Sequence, residues 1–298
     1  MIVVGVKGGL GNQMFQYAVG RRLALKLGTD LRLDPSFFLH AQGSATPRPY
    51  LLGRLNVKGE VIGDRELMAF LDADLSRYKR ALNRTMLKLT GHRMFKSPRV
   101  FVERGQTFDQ AVLDLPDNRY LVGYYQCERY FVGIREILLD DMRVREEMDA
   151  ANRELAGEIA DANSVCIHFR RGDYYSNPTA RRVHAVNLDD YYRAAITEMR
   201  ERVGRCRFFL FSDEPDWVRA NFNLGDDCVV VDINSPNEPE QDLRLMSLCK
   251  HFIIANSSFS WWGAWLSQSP GKVVMAPKRW FADDRATDDR CPASWIRL

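Results

Sequence analysis

The amino-terminal stretch alternates between short apolar runs and a helical pattern. Ile2 to Val6 form an apolar, β-branched run, which predicts a buried strand. From Asn12 to Leu27 apolar side chains recur at helical spacing, and Gly28 is a typical residue to end that helix. Leu31 to Leu33 predicts a second strand. This order is a βαβ unit, so the sequence predicts a parallel sheet covered by helices.

The remainder of the first half is less regular. Residues 36–60 predict loops, and the helical spacing from Leu67 to Leu89 predicts one helical series. Strands are predicted near Val100 and at Tyr120 to Tyr124, followed by a helix through Ile134 to Leu138.

The second half repeats the alternation more cleanly. Its short apolar runs are typical of strands buried on both faces, and helical patterns separate them. The predicted strands are Val165–Phe169, Phe208–Phe211, Val229–Val231, Phe252–Ala255 and Val273–Met275. The predicted helices are Tyr191–Arg202, Asp216–Phe222, Glu240–Cys249 and Trp261–Ser267.

We therefore predict an α/β protein with two Rossmann-like domains that face each other across a cleft. The boundaries are 1–150 and 151–298, and the charged helix from Arg143 to Ala160 is the predicted connector. The final segment is a candidate to pack back on the first domain. Tandem α/β units bind ligands between them, at the carboxyl ends of their strands.

Composition narrows the class of protein. The chain has 298 residues, of which 46% are hydrophobic and 27% charged, so it has enough apolar area for packed cores. A net charge of +3 gives no reason to expect nucleic acid as a partner. The six cysteines are isolated, which favours reduced core thiols. No apolar stretch is long enough for a signal-peptide core or a membrane span. We expect a soluble cytoplasmic protein.

A glycine turn follows the first strand, at the start of the first helix. Free N–H groups at such a turn favour an anion, so Gly9, Gly11, Asn12 and Gln13 are candidate substrate-binding residues. With Asp34 the turn partly matches a dinucleotide fingerprint, but the third glycine is missing, which leaves an NAD-dependent oxidoreductase as a weak alternative. A purely structural tight turn is the other interpretation.

A pair of arginines follows the predicted strand that contains His168. Arg170 and Arg171 are followed by Gly172 and Asp173, and arginines at a strand end need anionic partners. A diphosphate fits, because a guanidinium makes paired hydrogen bonds to phosphate oxygens. Alternatively one arginine pairs with Asp173 and holds the loop, an interpretation that suits Arg171 better than Arg170.

A polar loop follows the strand at Phe252 to Ala255. Hydroxyls and backbone amides at a helix start suit phosphate and ribose, although one serine would suffice as a helix cap. The candidate binding residues are Asn256, Ser257, Ser258, Phe259 and Ser260.

Asp242 lies near the start of the predicted helix before this loop. Its carboxylate either stabilises the helix dipole or accepts the N1–H and N2–H donors of a guanine.

Together these segments resemble the α-1,2-fucosyltransferases of glycosyltransferase family 11. The resemblance rests on residues 8–17, 168–174, 211–214 and 256–263, and covers nearly the whole chain. It implies a GT-B architecture, GDP-β-L-fucose as donor, inversion at the anomeric carbon and no metal. It also implies that the arginine motif neutralises the diphosphate, that the serine loop contacts phosphate and ribose, and that Asp242 reads guanine. His168, Arg171 and Asp213, which lie in these motifs, are further candidate substrate-binding residues. The match is loosest between Leu39 and Arg119, the region expected to face the acceptor.

The expected reaction transfers L-fucose to a hydroxyl of a glycan, with O2 of a galactose residue as the expected position, in bacterial surface-polysaccharide (O-antigen) synthesis. Expected partners are GDP-fucose and a galactose-terminated oligosaccharide or lipid-linked glycan. Arg170 is the predicted catalytic residue, and Asp173 and His184 are the candidates for a general base. The alternative is a module that binds glycans or sugar nucleotides without turnover.

Two further patterns have simpler interpretations. Asp72 and Asp74 form a DxD pattern that holds metal in other glycosyltransferases, but they lie within the helical series, so we predict a solvated helix face. Residues 77–104 contain nine basic residues and only Glu103 as an acid. This segment is either a solvated basic helix or a surface that contacts anionic membrane.

Overall fold

The computed structural model describes residues 1–39, 47–283 and 285–298. Its strands are β1 Ile2–Gly5, β2 Leu31–Asp34, β3 Glu60–Val61, β4 Val100–Val102, β5 Arg119–Val122, β6 Ser164–Phe169, β7 Arg207–Ser212, β8 Cys228–Val231, β9 His251–Ile253, β10 Val274–Ala276 and β11 Ile296–Arg297.

Helices separate most of these strands. They are α1 Leu10–Leu27, α2 Asp64–Asp72, α3 Arg77–Thr90, α4 Gln110–Leu113, α5 Arg135–Asp141, α6 Ala150–Asp161, α7 Gly172–Ser176, α8 Pro178–His184, α9 Asp189–Val203, α10 Pro215–Asn221, α11 Pro239–Leu248 and α12 Ser258–Leu266.

Two sheets organise the described residues, one in each half of the chain. The first has the order β3-β2-β1-β5-β4 and the second the order β11-β10-β9-β6-β7-β8. Their paired strands are parallel; Ile2 lies opposite Leu31 in the first sheet, and Ser164 opposite Arg207 in the second. The predicted α/β class with parallel sheets is confirmed.

The helical series from Leu67 to Leu89 is two helices in the structure. α2 ends at Asp72, and Ser76 starts α3 by accepting a hydrogen bond from the backbone N–H of Lys79. The charged connector also begins later than predicted, because Asp149 caps α6 through the N–H of Asn152. The short helices α7 and α8 were not predicted. Their lengths are too small for a periodic pattern to show.

An aromatic cluster joins the two halves. The ring of Phe15 from α1 lies 4.6 Å from Trp261 and 5.1 Å from Trp262 of α12. Phe131 stacks on Trp262 with ring centroids 5.4 Å apart. Trp265 is also buried. The joint between the halves is thus apolar and closely packed.

The final segment contacts both halves. β11 pairs with β10 at the edge of the second sheet. Just before it, Asp289 accepts a hydrogen bond from the backbone N–H of Phe108, and Arg290 donates to Gln106, both in the first half. Residues 289–290 therefore cross towards the first half, while the terminal strand itself stays in the second sheet.

Cys127, Cys166, Cys206, Cys249 and Cys291 are buried free thiols, and Cys228 is half-buried. None of the described helices is long and apolar enough to cross a membrane.

Candidate active site

Three neighbouring strands of the second sheet end in candidate site residues. β9, β6 and β7 lie side by side, and Asn256, Arg170 and Asp213 follow their carboxyl ends. Since carboxyl ends of parallel strands meet at one edge, the topology gathers residues that are far apart in sequence. The structure therefore brings the arginine motif, Asp213 and the serine loop to one edge of the sheet.

Arg170 lies between two carboxylates. Its Nη1 is 2.8 Å from Oδ2 of Asp213, and its Nη2 donates to Oδ1 of Asp173. Burial disfavours the charge, but Asp213 and Asp173 outweigh it and raise the pKa of Arg170 above its ordinary value. A guanidinium has five N–H donors, so these contacts fix its orientation and leave others for a ligand.

Arg171 points to a different part of the surface. Its guanidinium lies 3.6 Å from the ring centroid of Trp217, and its Nε donates to Glu214 across 3.1 Å. The alternative in which Arg171 pairs with Asp173 is not found, because Arg170 makes that pair. The reason is local: the backbone turns after β6, so consecutive side chains diverge, and Trp217 offers a ring face to the second arginine.

An arginine from the first half reaches the same loop. Nη2 of Arg48 lies 2.7 Å from Oδ2 of Asp173, so this carboxylate is shared by Arg48 and Arg170. Asp173 thus binds the two halves together in addition to orienting Arg170. Both of its carboxylate oxygens are therefore engaged by guanidinium groups.

The glycine turn contacts the serine loop directly. A Cβ atom on Gly11 would lie 2.5 Å from the carbonyl carbon of Ser258 and 2.6 Å from the backbone nitrogen of Phe259. Trp262 donates its indole N–H to the carbonyl oxygen of Gly11 across 3.0 Å. Around Gly9, in contrast, a Cβ would find no atom within 4 Å. Gly11 therefore permits close approach of the halves, whereas Gly9 faces open space.

The two polar side chains of the turn have different surroundings. Gln13 is fully buried: its amide donates to the carbonyls of Gly8 and Pro49 and accepts from the N–H of Leu51. These bonds join the glycine turn to the loop at Pro49 and Leu51 and use the amide that was expected from sequence to bind substrate. Asn12 is half-buried and accepts a 2.5 Å hydrogen bond from Nε2 of Gln126.

Most polar side chains of the serine loop support the loop itself. Asn256 donates to the carbonyls of His184 and Trp280, Ser257 caps α12, and the buried Ser260 donates to the carbonyl of Ser257. Their hydrogen bonds argue against the prediction that all of them bind substrate. Ser258 is half-buried, and its hydroxyl forms no hydrogen bond with another described residue, so it is the hydroxyl of this loop best placed to meet a ligand.

Both histidines of the site have depressed pKa values. Burial lowers the pKa of His168 to about 4, with Asp213 opposing and Arg170 adding to the shift. His168 is 4% exposed, and its Nδ1 has no hydrogen-bond partner among the described residues. Burial likewise lowers the pKa of His184 to about 4, against the opposing charge of Asp173. His184 is therefore neutral at pH 7, but it is a weak base.

Asp242 lies one turn inside α11. It accepts a 2.8 Å hydrogen bond from Nδ2 of Asn234, which also bonds Asn152. Burial raises the pKa of Asp242 to about 6, and Glu240 adds to the shift while the bond from Asn234 opposes it. The neighbouring Glu240 forms a salt bridge with Arg54 of the first half.

The DxD carboxylates are both paired with arginines. Asp72 ends α2, is 6% exposed and pairs with Arg93. Asp74 follows the helix and accepts two hydrogen bonds from Arg99, of 2.7 and 2.9 Å. The prediction of a solvated helix face is wrong, because α2 ends between them and Asp72 turns inward. The described residues contain no group of three potential metal ligands.

Sequence reasoning missed Arg48, Gln126 and Arg290. They come from loops without a motif, and Gln126 and Arg290 meet across 164 positions of sequence. No local pattern signals such a contact, since it depends on how the halves pack.

Comparison with known proteins identifies the family of the chain. The sequence profile of Glycosyl transferase family 11 matches residues 1–298, so the chain belongs to this family of glycosyltransferases. It is 32% identical to an alpha-1,2-colitosyltransferase of Escherichia coli, covering 100% of this chain and 99% of that protein. It is 31% identical to the O-antigen biosynthesis glycosyltransferase WbnK of Escherichia coli, covering 98% and 99%.

More distant similarities are partial or confined to the fold. The galactoside alpha-(1,2)-fucosyltransferase 1 of Aotus azarae is 28% identical over 52% of this chain and 44% of its own length. The crystal structure of NodZ alpha-1,6-fucosyltransferase soaked with GDP-fucose superposes with a TM-score of 0.51 at 16% identity, covering 89% of this chain and 92% of that one. The fold is GT-B-like, as the resemblance implied.

Proposed function

We propose that this glycosyltransferase transfers L-fucose from GDP-β-L-fucose to O2 of a galactose residue in an O-antigen glycan. The anomeric centre is inverted and no divalent metal takes part. Membership of family 11 and the similarity to WbnK support O-antigen synthesis. The donor and the acceptor follow from the resemblance to α-1,2-fucosyltransferases and are the parts that need testing.

The position of Arg170 carries the proposal. It lies at the carboxyl edge of the second sheet, 19% exposed, with its orientation fixed by Asp173 and Asp213. Breaking the bond between fucose and phosphate places negative charge on the departing diphosphate. A preoriented guanidinium stabilises that charge more in the transition state than in the bound donor, which accelerates the reaction.

The nucleotide is assigned to the edge formed by β6, β7 and β9. We assign phosphate or ribose to the Ser258 hydroxyl and to the backbone N–H groups at the start of α12 other than that of Phe259, which Ser257 already accepts. Asp242, on the helix that precedes β9, is the proposed acceptor for the guanine donors. Replacing Asp242 by Asn should weaken GDP binding and reduce the preference for GDP over ADP, with little effect on turnover at saturating donor.

The acceptor hydroxyl loses its proton to a weak base in this site. His184 is neutral at pH 7 and stacks on Tyr174, with ring centroids 4.8 Å apart. Asp173 is held between Arg48 and Arg170. His184 is a weak base and both carboxylate oxygens of Asp173 are engaged, so we assign most of the acceleration to departure of the diphosphate and keep both residues as candidates for the base.

The colitosyltransferase similarity favours a second candidate donor. Colitose lacks the 3-hydroxyl of fucose, so a site that hydrogen-bonds this hydroxyl discriminates between the two sugars. Purified protein is incubated with GDP-fucose or GDP-colitose and a panel of galactose-terminated oligosaccharides, and the linkage of each product is determined. A faster reaction with GDP-colitose overturns the fucosyl donor and keeps the family reaction. Donor binding without product from any acceptor favours the binding module.

We also propose contact with anionic membrane through the basic face, defined as α3 and the residues that follow it to Arg104. Within the described residues, Arg93 and Arg99 are ion-paired and the other seven cations are not. Tyr78 and Leu89 are 71% and 75% exposed and lie about three turns apart on one side of α3. Exposed apolar groups among cations are typical of helices that lie on anionic lipid, where a lipid-linked acceptor resides.

A further inference from the structure

One buried cation near the site has no carboxylate partner in the described part of the chain. Arg290 is 4% exposed, its Nη1 donates to Oε1 of Gln126, and its Nη2 donates to Oε1 of Gln106 across 2.9 Å. Its Nε is buried, and no described residue accepts a hydrogen bond from it. Burial lowers the pKa of Arg290 to about 10, so it stays charged at neutral pH. Neutral amides satisfy two of its N–H groups, and the buried carboxylate of Glu103 attracts it from a distance without forming an ion pair in the described part of the chain. The guanidinium therefore has no anion in direct contact to balance its buried charge.

The location of Arg290 connects it with the candidate active site. Gln126, which accepts its hydrogen bond, also donates to Asn12 in the glycine turn. On its other side the guanidinium lies 4.9 Å from the ring of Phe281. Phe281 in turn contacts His184, with ring centroids 5.4 Å apart. Arg290 is thus one side chain away from the glycine turn and from His184.

Arg170 approaches the same pair of rings from the opposite side. Its guanidinium lies 5.4 Å from the ring of Tyr174, which stacks on His184. The charges of both Arg170 and Arg290 lower the pKa of His184. The two cations therefore flank one site, but only Arg170 has carboxylates in contact with it.

We propose that Arg290 is a second cation for the donor diphosphate, held by Gln106 and Gln126 until the nucleotide binds. This inference rests on the proposed function, because it assumes a nucleoside diphosphate donor. Both contacts are made by side-chain amides of glutamine, so rotation of these side chains releases the N–H groups of the guanidinium without moving the halves apart. The incoming diphosphate then supplies the negative charge that the amides lack.

Binding of GDP and of guanosine, measured by calorimetry, tests the assignment. Arg290→Met should weaken GDP binding roughly 10- to 100-fold and leave guanosine binding unchanged, because only GDP carries the diphosphate. The matched control is Arg129→Met, which removes an equal charge from a nearby residue that is 61% exposed and paired with Asp289. Arg129→Met should bind both ligands as the wild type does.

A second variant tests the same assignment even if Arg290→Met folds poorly. Gln106→Glu places a carboxylate on Arg290 with almost no change of shape, so it should raise the melting temperature of the free protein and weaken GDP binding. If Arg290 has only a structural role, Gln106→Glu should raise the melting temperature and leave the GDP affinity unchanged. That result overturns the assignment. If the wild type binds GDP better than guanosine and Arg290→Met keeps this preference, the role of Arg290 is overturned while the proposed donor stands. Wild-type protein that binds GDP no better than guanosine overturns both this inference and the proposed donor.

Discussion

Trp262 donates its indole N–H to the carbonyl oxygen of Gly11 across 3.0 Å, which connects the last helix of the second half with the glycine turn of the first. The same turn meets the backbone of Ser258 so closely that no side chain fits on Gly11. Residues 247 positions apart thus set the separation of the halves at the candidate active site.

Gly11→Ala should disturb this contact. The added methyl group would lie 2.5 Å from a backbone atom of Ser258, which cannot move aside as a flexible side chain does. Overpacking of this kind costs roughly 1–3 kcal/mol. We expect a lower melting temperature and a larger KM for donor. Gly9→Ala is the control and should behave as wild type in stability, since the space around it is open; equal effects of the two substitutions would contradict the close approach.

Arg170→Lys should reduce turnover about 100- to 1,000-fold, because lysine keeps the charge but loses the planar set of donors. Donor affinity should change less than kcat, and circular dichroism should show an unaltered fold. Arg170→Ala should be more severe. Steady-state kinetics with saturating donor measures the effect.

Arg171→Lys provides the matched comparison for that measurement. Arg171 stacks on Trp217 and pairs with Glu214, so its substitution should lower stability by about 1 kcal/mol and change kcat little. Normal turnover in Arg170→Lys with loss in Arg171→Lys would show that the roles are reversed.

Stability should fall on acidification through His168. Its pKa is about 4 in the folded protein and near 6.5 when unfolded, so the unfolded chain binds more protons between these values. His168 therefore contributes up to about 3 kcal/mol to the free energy of unfolding. This contribution is fully present above pH 6.5 and is lost as the pH falls towards 4. Asp242, whose pKa is raised to about 6, acts in the opposite direction. We therefore compare wild type with His168→Phe by urea denaturation from pH 4 to 7. The variant should show a flatter dependence, and parallel curves would refute the assignment.

Activity should survive EDTA. Asp72 and Asp74 are occupied by Arg93 and Arg99, and cationic side chains are available to balance the diphosphate. The measurement is the initial rate after dialysis against EDTA, with and without added manganese. A rate that collapses in EDTA and returns with manganese would revive a metal role for the DxD pattern.

The basic face should bind anionic vesicles in a salt-dependent way, at about 1 kcal/mol for each cation near the surface. Co-sedimentation with phosphatidylserine vesicles should exceed that with phosphatidylcholine at low salt, and the difference should shrink at high salt. Leu89→Ser should reduce binding, whereas Val132→Ser, at an exposed apolar residue outside this face, should not. Equal partition to both kinds of vesicle would eliminate the proposal.

The sequence predicts the secondary-structure elements better than it predicts the contacts of their side chains. Runs such as Val165 to Phe169 identify buried strands because burial on both faces requires continuous apolar residues. Strand ends then locate Arg170 and Asn256 at one edge. The contacts of these side chains were not predictable: whether Arg170 or Arg171 pairs with Asp173 depends on the turn after β6, and the hydrogen bonds of Gln13 depend on a loop 36 residues away.

The aromatic cluster between the halves has a consequence for how the protein folds. One continuous hydrophobic core includes Ile2 and Phe15 of the first half together with Trp262 and Trp295 of the second. Cutting the chain between the two sheets would expose large aromatic faces on each fragment. The halves are accordingly a single cooperative unit, which should give one calorimetric transition, and neither fragment should be stable when expressed alone.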